Sequence, residues 1–123
     1  MADMSAQIVP ATAAMIRSLH AELPKTVRAV AAVEGDRVLG VAGIYPQEGY
    51  LILFGAIAPD TRAELHRHKR ALLRCVWKVL GFAMQRRMPV FAVADEDIEG
   101  SDRFLRHLGF IPREGGYEWH GSR

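Results

Sequence analysis

Apolar positions along this chain follow two periods, and the places where one gives way to the other mark its elements. Gln7 to Val9 is a short strand pattern halted by Pro10. Thr12 can then cap a helix in which Met15, Ile16, Leu19 and Leu23 recur at helical spacing, up to Pro24. Thr26 to Glu34 and Arg37 to Tyr45 are Val- and Ala-rich runs joined by Gly35 and Asp36, the signature of an antiparallel hairpin. Gln47, Glu48 and Gly49 turn the chain into Tyr50 to Ile57, an almost wholly apolar run and therefore a central strand.

A long helix is expected from Arg62 to Arg87, with Leu65, Leu72, Leu73, Val76, Trp77, Leu80, Ala83 and Met84 as its apolar stripe. Trp77 reads as core on that stripe. Pro89 closes the helix, and Val90 to Ala94 is a buried strand pattern. Gly100 and Ser101 open a short helix from Asp102 to Leu108, which Gly109 ends as a left-handed cap. Phe110 to Pro112 and Tyr117 to His120 are the last strands. The order β-α-β-β-β-α-β-α-β-β contains one strand-helix-strand crossover, from Tyr50 through Val90, which must be parallel. The expected fold is α/β in the mixed α+β sense: a mostly antiparallel sheet of six to seven strands flanked by helices. One domain is expected over residues 1–123, with no internal repeat or linker.

Composition narrows the compartment more than the function. Half the residues are apolar and 24% charged, which is ordinary globular usage. The first thirty residues lack a basic segment followed by an apolar stretch and a cleavage site, so no signal peptide is expected. The longest apolar run, Tyr50 to Ala58, is far below the roughly 20 residues of a membrane helix. A single cysteine, Cys75, forbids an internal disulfide and fits a reducing, cytoplasmic compartment. Cys75 reads as a small apolar filler on a helix flank, with a reactive thiol as the alternative. The net charge is only +2, but Arg62 to Arg87 holds eight of the 16 Lys and Arg against the one acid Glu64. An anionic ligand at that helix follows, or else a solvated face.

The order of elements, together with Asp102 to Trp119 ("DRFLRHLGFIPREGGYEW"), resembles the GNAT family of N-acyltransferases. Phe104, Leu105, Leu108, Gly109 and Phe110 stand where that family places its helix-to-strand turn, and Pro59 matches the proline after its fourth strand. The likeness covers nearly the whole chain. It implies that the fourth and fifth strands splay apart around the pantetheine arm of acetyl-CoA, whose pyrophosphate rests on the start of the long helix. Unsatisfied N–H groups and the positive dipole end favour an anion there in any case. The implied cofactor residues are Ile57, His66, Arg67, His68, Lys69 and Arg70.

Two departures from the family pattern stand out. The family turn reads Gln or Arg, two residues, Gly, one residue, then Gly or Ala. Counted from Arg62, the glycine positions fall on Leu65 and Arg67; in a loop two residues longer they fall on Arg67 and Lys69. Phosphate binding would then pass to the basic side chains. Many members also carry a tyrosine directly after the helix phenylalanine, as an acid for the departing thiolate; Leu105 stands there. The fourth strand has no titratable residue after Tyr50. His20, Glu22, Asp95 and Tyr117 remain as candidate proton carriers for attack by an amine.

The implied function is acyl-CoA-dependent transfer of an acetyl group to a small-molecule or protein amine. The alternative is a catalytically inactive protein of GNAT shape, similar to small GNAT-like proteins encoded near virion genes of short-tailed phages, which would be virion-associated. The five histidines lack partners at ligand spacing, so no metal is expected. The small net charge, and the lack of aromatic residues among the basic positions, argue against nucleic acid. The antiparallel final strands could pair across a homodimer.

Overall fold

The computed structural model describes residues 6–19, 28–92 and 101–120. In order these form β1 (Gln7–Pro10), α1 (Ala13–Leu19), β2 (Arg28–Glu34), β3 (Arg37–Gln47), β4 (Tyr50–Ile57), α2 (Pro59–Ala63), α3 (Leu65–Arg86), β5 (Val90–Ala92), α4 (Ser101–His107), β6 (Ile111–Arg113) and β7 (Gly116–Trp119). The strands make one mixed, mostly antiparallel sheet in the order β1-β2-β3-β4-β5-β7-β6. The expected class and crossover hold: β4 pairs with β5 in parallel, and the other pairings are antiparallel. The expected helix end at Leu23 and Pro24, the strand start at Thr26 and the strand end at Ala94 lie outside the described residues.

Each sheet face has its own layer. On one face, Cys75, Val79, Leu80 and Ala83 of α3 pack with Val30, Ala32, Ala42, Ile44, Leu51 and Val90 of the sheet. Leu105 and Leu108, from α4 and its end, join the same cluster. Ile16 of α1, with Ala31, Val41 and Phe54, is buried outside that cluster and belongs to the other face. Helix α3 lies over β3, β2 and β1. Gly40 of β3 permits the closest approach, because a Cβ there would stand 2.8 Å from Leu72 Cδ2 and 3.0 Å from the Ala56 carbonyl oxygen.

The expected single helix from Arg62 to Arg87 is corrected in two ways. Pro59 starts a separate helical turn immediately after β4, with Ala58 N–H donating to Leu39 O of β3 at 3.0 Å. That turn ends at Glu64, whose φ of −121° and ψ of 45° leave the helical region before α3 begins. Four helices are therefore described rather than three. The second correction concerns the stripe. Trp77 is 43% exposed and Met84 52% exposed, so neither is core. At 100° per residue, Trp77 and Met84 lie at the edge of the stripe, and counting apolar residues placed them inside it.

The far end of the sheet behaves as expected. Gly109 has φ 98° after α4, and Trp119 Nε1–H donates to Leu108 O at 3.1 Å while its ring stacks on Phe110. Trp119 is 3% exposed and belongs to the core cluster. None of the described helices is long and apolar enough to cross a membrane.

Candidate functional site

The arrangement begins with an anomaly in β4. This strand sits fourth of seven, where side chains on both faces should be covered, yet Gly55 is exposed. Its pairing with Ala42 puts Gly55 on the α3 side of the sheet, with Leu53 opposite Ile44 and Ile57 opposite Gly40. Leu53 and Ile57 are half-buried. A glycine inside a strand marks a place where another group can approach the backbone closely. Among the described residues, the ladder from β4 to β5 consists of Leu51 with Val90 and Ile52 with Phe91, at the opposite end of β4 from Gly55.

The chain leaves this shallow surface at Ile57 and enters α2 and α3. Consecutive helical residues point 100° apart, so His66 to Arg70 radiate around α3 and cannot converge on one phosphate. His68 is 3% exposed and its Nε2 stands 3.5 Å from Arg37 Nη2. For that guanidinium to donate, the imidazole must carry its proton on Nδ1. His68 thus faces the underside of the helix rather than a ligand. Arg67 and Arg70 are exposed on the outer face. Lys69 shares a flank with Leu73, Val76 and Leu80, and Leu80 is fully buried. That flank is opposite Phe82, over which the Arg28 guanidinium of β2 stacks at 4.8 Å. Further along α3, Ala83 and Met84 border a cavity with Trp119 of β7. Lys69, with His66 one turn before it, therefore borders the side of α3 turned toward β4 and β5. Of the cofactor residues expected from sequence, Ile57, His66 and Lys69 share this region, while Arg67, His68 and Arg70 point elsewhere.

Main-chain anion binding is limited by the local geometry. The amides of Lys69 and Arg70 lie beyond the first four of α3 and serve its own hydrogen bonds. Arg67 N–H donates to Glu64 O at 3.0 Å. The Glu64 carboxylate stands at the N-cap without capping it and contacts Arg67 Nη1 at 3.3 Å. A resident carboxylate at the positive end of a helix competes with any incoming anion. Beside it, Thr61 is fully buried and its Oγ1 has no hydrogen-bond partner among the described residues.

The remaining candidates divide. Glu22 and Asp95, like His20, lie outside the described residues. Tyr117 is half-buried on β7, paired with Ala92 of β5 and Pro112 of β6, and the Arg106 guanidinium lies 6.0 Å from its ring centre. Leu105, where the resemblance would imply an acid, is part of the core. Burial pushes the Cys75 thiol from 9.0 up to about 11, against a smaller downward pull from Arg74. A thiol that stays protonated is no nucleophile. Among the described residues, no group of three His, Cys, Asp or Glu could hold a metal ion. A cavity of about 380 Å³ opens at the other end of α3, between Arg28, Tyr45, Phe82 and Arg86.

Sequence reasoning missed Gly55, Thr61 and the exposure of Trp77. The first had a signal: a single glycine interrupting the apolar run from Tyr50 to Ile57. No protein-family model matches the chain, and no curated protein matches it.

Proposed function

We propose that the protein is an acyl-CoA-dependent N-acyltransferase of GNAT type. The observation that carries this reading is the exposed Gly55 on a central strand that leads, through the short turn of α2, to the cationic start of α3. A pantetheine arm could lie against the Gly55 backbone, where no side chain intervenes, with its diphosphate near His66 and Lys69. The protein's part is then to hold the thioester beside an amine. The amine nitrogen forms a bond to the acyl carbon, the carbon–sulfur bond breaks, and CoA leaves as a thiolate. The proton lost by the amine passes to water, and the departing thiolate takes one up; Tyr117 is a described residue whose hydroxyl, near the end of β5, could donate it. Lys69 holds charge here, and Leu53 and Ile57 supply apolar walls.

Thermal unfolding with millimolar acetyl-CoA tests the reading, because a ligand bound only by the folded form raises the midpoint. A rise of several degrees that is lost in Lys69→Ala, and kept in Arg70→Ala, is expected. No rise with the wild-type protein would exclude the cofactor site.

A second reading is favoured by Glu64 at the helix N-cap and Leu105 in the core. These suit a protein of GNAT shape that binds no nucleotide and works as an interaction module. Fold alone does not decide between the two. Amine-dependent release of free CoA separates them: turnover supports the enzyme, and its absence without any thermal shift supports the module.

A further inference from the structure

The outer face of α3 has no part in the acyl-CoA reading. On it, Arg67, Arg70, Arg74 and Lys78 follow one another at about one per helical turn, about 5.4 Å apart along the axis. Helix α3 contains six Lys and Arg and no acid. Among the described residues, Arg70, Arg74 and Lys78 make no ion pair. Trp77 lies in the same line, 43% exposed rather than in the core, so an aromatic ring does stand among the basic positions, contrary to the expectation from sequence. One turn further on stands Gly81, where an added Cβ would meet nothing within 4 Å. Helical side chains lean toward the N-terminus, so the indole lies over the turn of Arg74 and its other side stays open above Gly81.

We infer that this face binds single-stranded nucleic acid, with the cations on successive phosphates and an unpaired base stacked on Trp77. The spacing of one charge per turn is on the scale of neighbouring phosphates along a strand. A flat, open indole among cations is the pairing of groups that recognises an unpaired base without reading sequence. A membrane surface would need a continuous apolar face, and the apolar face of α3 is already buried in the core. An acidic segment satisfies the cations, but its carboxylate side chains give the indole no ring to stack on.

Fluorescence anisotropy of labelled (dT)20 and (U)20 at about 50 mM salt, followed by a salt titration, tests the inference. Each phosphate neutralised on a single strand contributes about −0.7 to the slope of log K against log salt, so the three cations without an ion pair among the described residues give about −2. Arg74→Gln with Lys78→Gln should flatten the slope by about 1.4. Trp77→Ala should weaken binding at least about fivefold, with a smaller loss in Trp77→Phe. Emission from Trp77 should be quenched on binding while buried Trp119 is unaffected, and Trp119 emission reports that each variant is folded. The two oligomers distinguish DNA from RNA as the source of the strand, and either one supports the inference. Absence of binding at this salt overturns it. So does an affinity unchanged by Trp77→Ala, equal competition by polyglutamate, which would assign the face to an acidic protein, or preferential binding to anionic vesicles.

Discussion

From Cys75 to Ala83, helix α3 sets Cys75, Val79, Leu80 and Ala83 into the core; from Leu65 to Ala71 it buries only His68. The two stretches belong to one helix and follow one period, yet they meet different surroundings. The later stretch crosses Ile44, Leu51 and Val90, where sheet side chains fill the space. The earlier one ends where Leu72 meets Gly40, a position at which the sheet offers no side chain. Fixed packing at one end and spare surface at the other is the division expected between a scaffold and the site it presents.

The sharpest way to break this comparison is to truncate one residue in each stretch. Leu80→Ala removes a fully buried side chain and should cost about 2–5 kcal/mol, because the cavity left behind relaxes only partly. Arg70→Ala removes an exposed one and should stay within about 0.5 kcal/mol. Urea midpoints at constant slope measure both. Equal costs would mean that the start of α3 is held in the fold just as firmly as its middle.

The intermediate case is Gly40→Ala. Its added methyl would press on Leu72 Cδ2 and on the Ala56 carbonyl, and the carbonyl cannot swing away as a side-chain tip can. Overpacking of this kind costs about 1–3 kcal/mol. The same variant should lift the α3 start from β3 and weaken any acetyl-CoA response beyond its effect on stability. An unchanged midpoint would show that Leu72 moves freely, and that the close approach at Gly40 does not position the site.

These positions also explain what sequence reveals here and what it hides. The order of elements along the chain and the parallel crossover were legible because period-2 runs, tight turns and a proline-bounded helix agree with one another across the chain. The underside of α3 was legible for the same reason at Leu80 and Ala83, whereas Cys75 reads as a flank residue and Val79 is absent from the expected stripe, yet both are buried in the core. His68 was not, because a histidine among four cationic or imidazole neighbours reads as charge. Its burial follows only from the register of α3 over β3 and from the neighbouring Arg37. Trp77 misled in the opposite direction, since hydropathy assigned to the core a ring that the helix rotates outward. The break at Glu64 left no composition signal. Helical geometry begins at Pro59, next to Ala58, which is tied to Leu39, and the chain leaves it again at Glu64 before α3.

Cys75 gives a pH-dependent test of the packed stretch. Its thiol ionises near 9.0 in the open chain and near about 11 in the fold, because burial disfavours the thiolate. Between those values the unfolded state holds fewer protons, so stability declines as pH rises through this window and is unaffected by the thiol below it. Lysines and tyrosines also titrate there, so the measurement is the difference between wild type and Cys75→Ala. The wild type should lose more stability between about pH 8.5 and 11. Parallel curves would mean that solvent reaches the sulfur and that the packing around Val79 is loose.

The smallest expected effect lies at the other end, in Thr61→Val. A buried hydroxyl with no partner carries a desolvation cost of about 1–3 kcal/mol, and valine keeps the shape without the oxygen. The loss of helix propensity is only a few tenths of a kcal/mol in so short a helix. A gain approaching about 1 kcal/mol is therefore expected, opposite in sign to Leu80→Ala on the same assay. The acetyl-CoA response of this variant sharpens the meaning of that gain. If the protein becomes more stable alone but responds less to the thioester, the orphan oxygen serves a ligand beside β4 at the expense of the unliganded fold. If stability rises and the response is intact, the hydroxyl is filler. If stability falls, the oxygen has a partner in solution, and the start of α3 is bound to the sheet more tightly than the comparison with its middle allows.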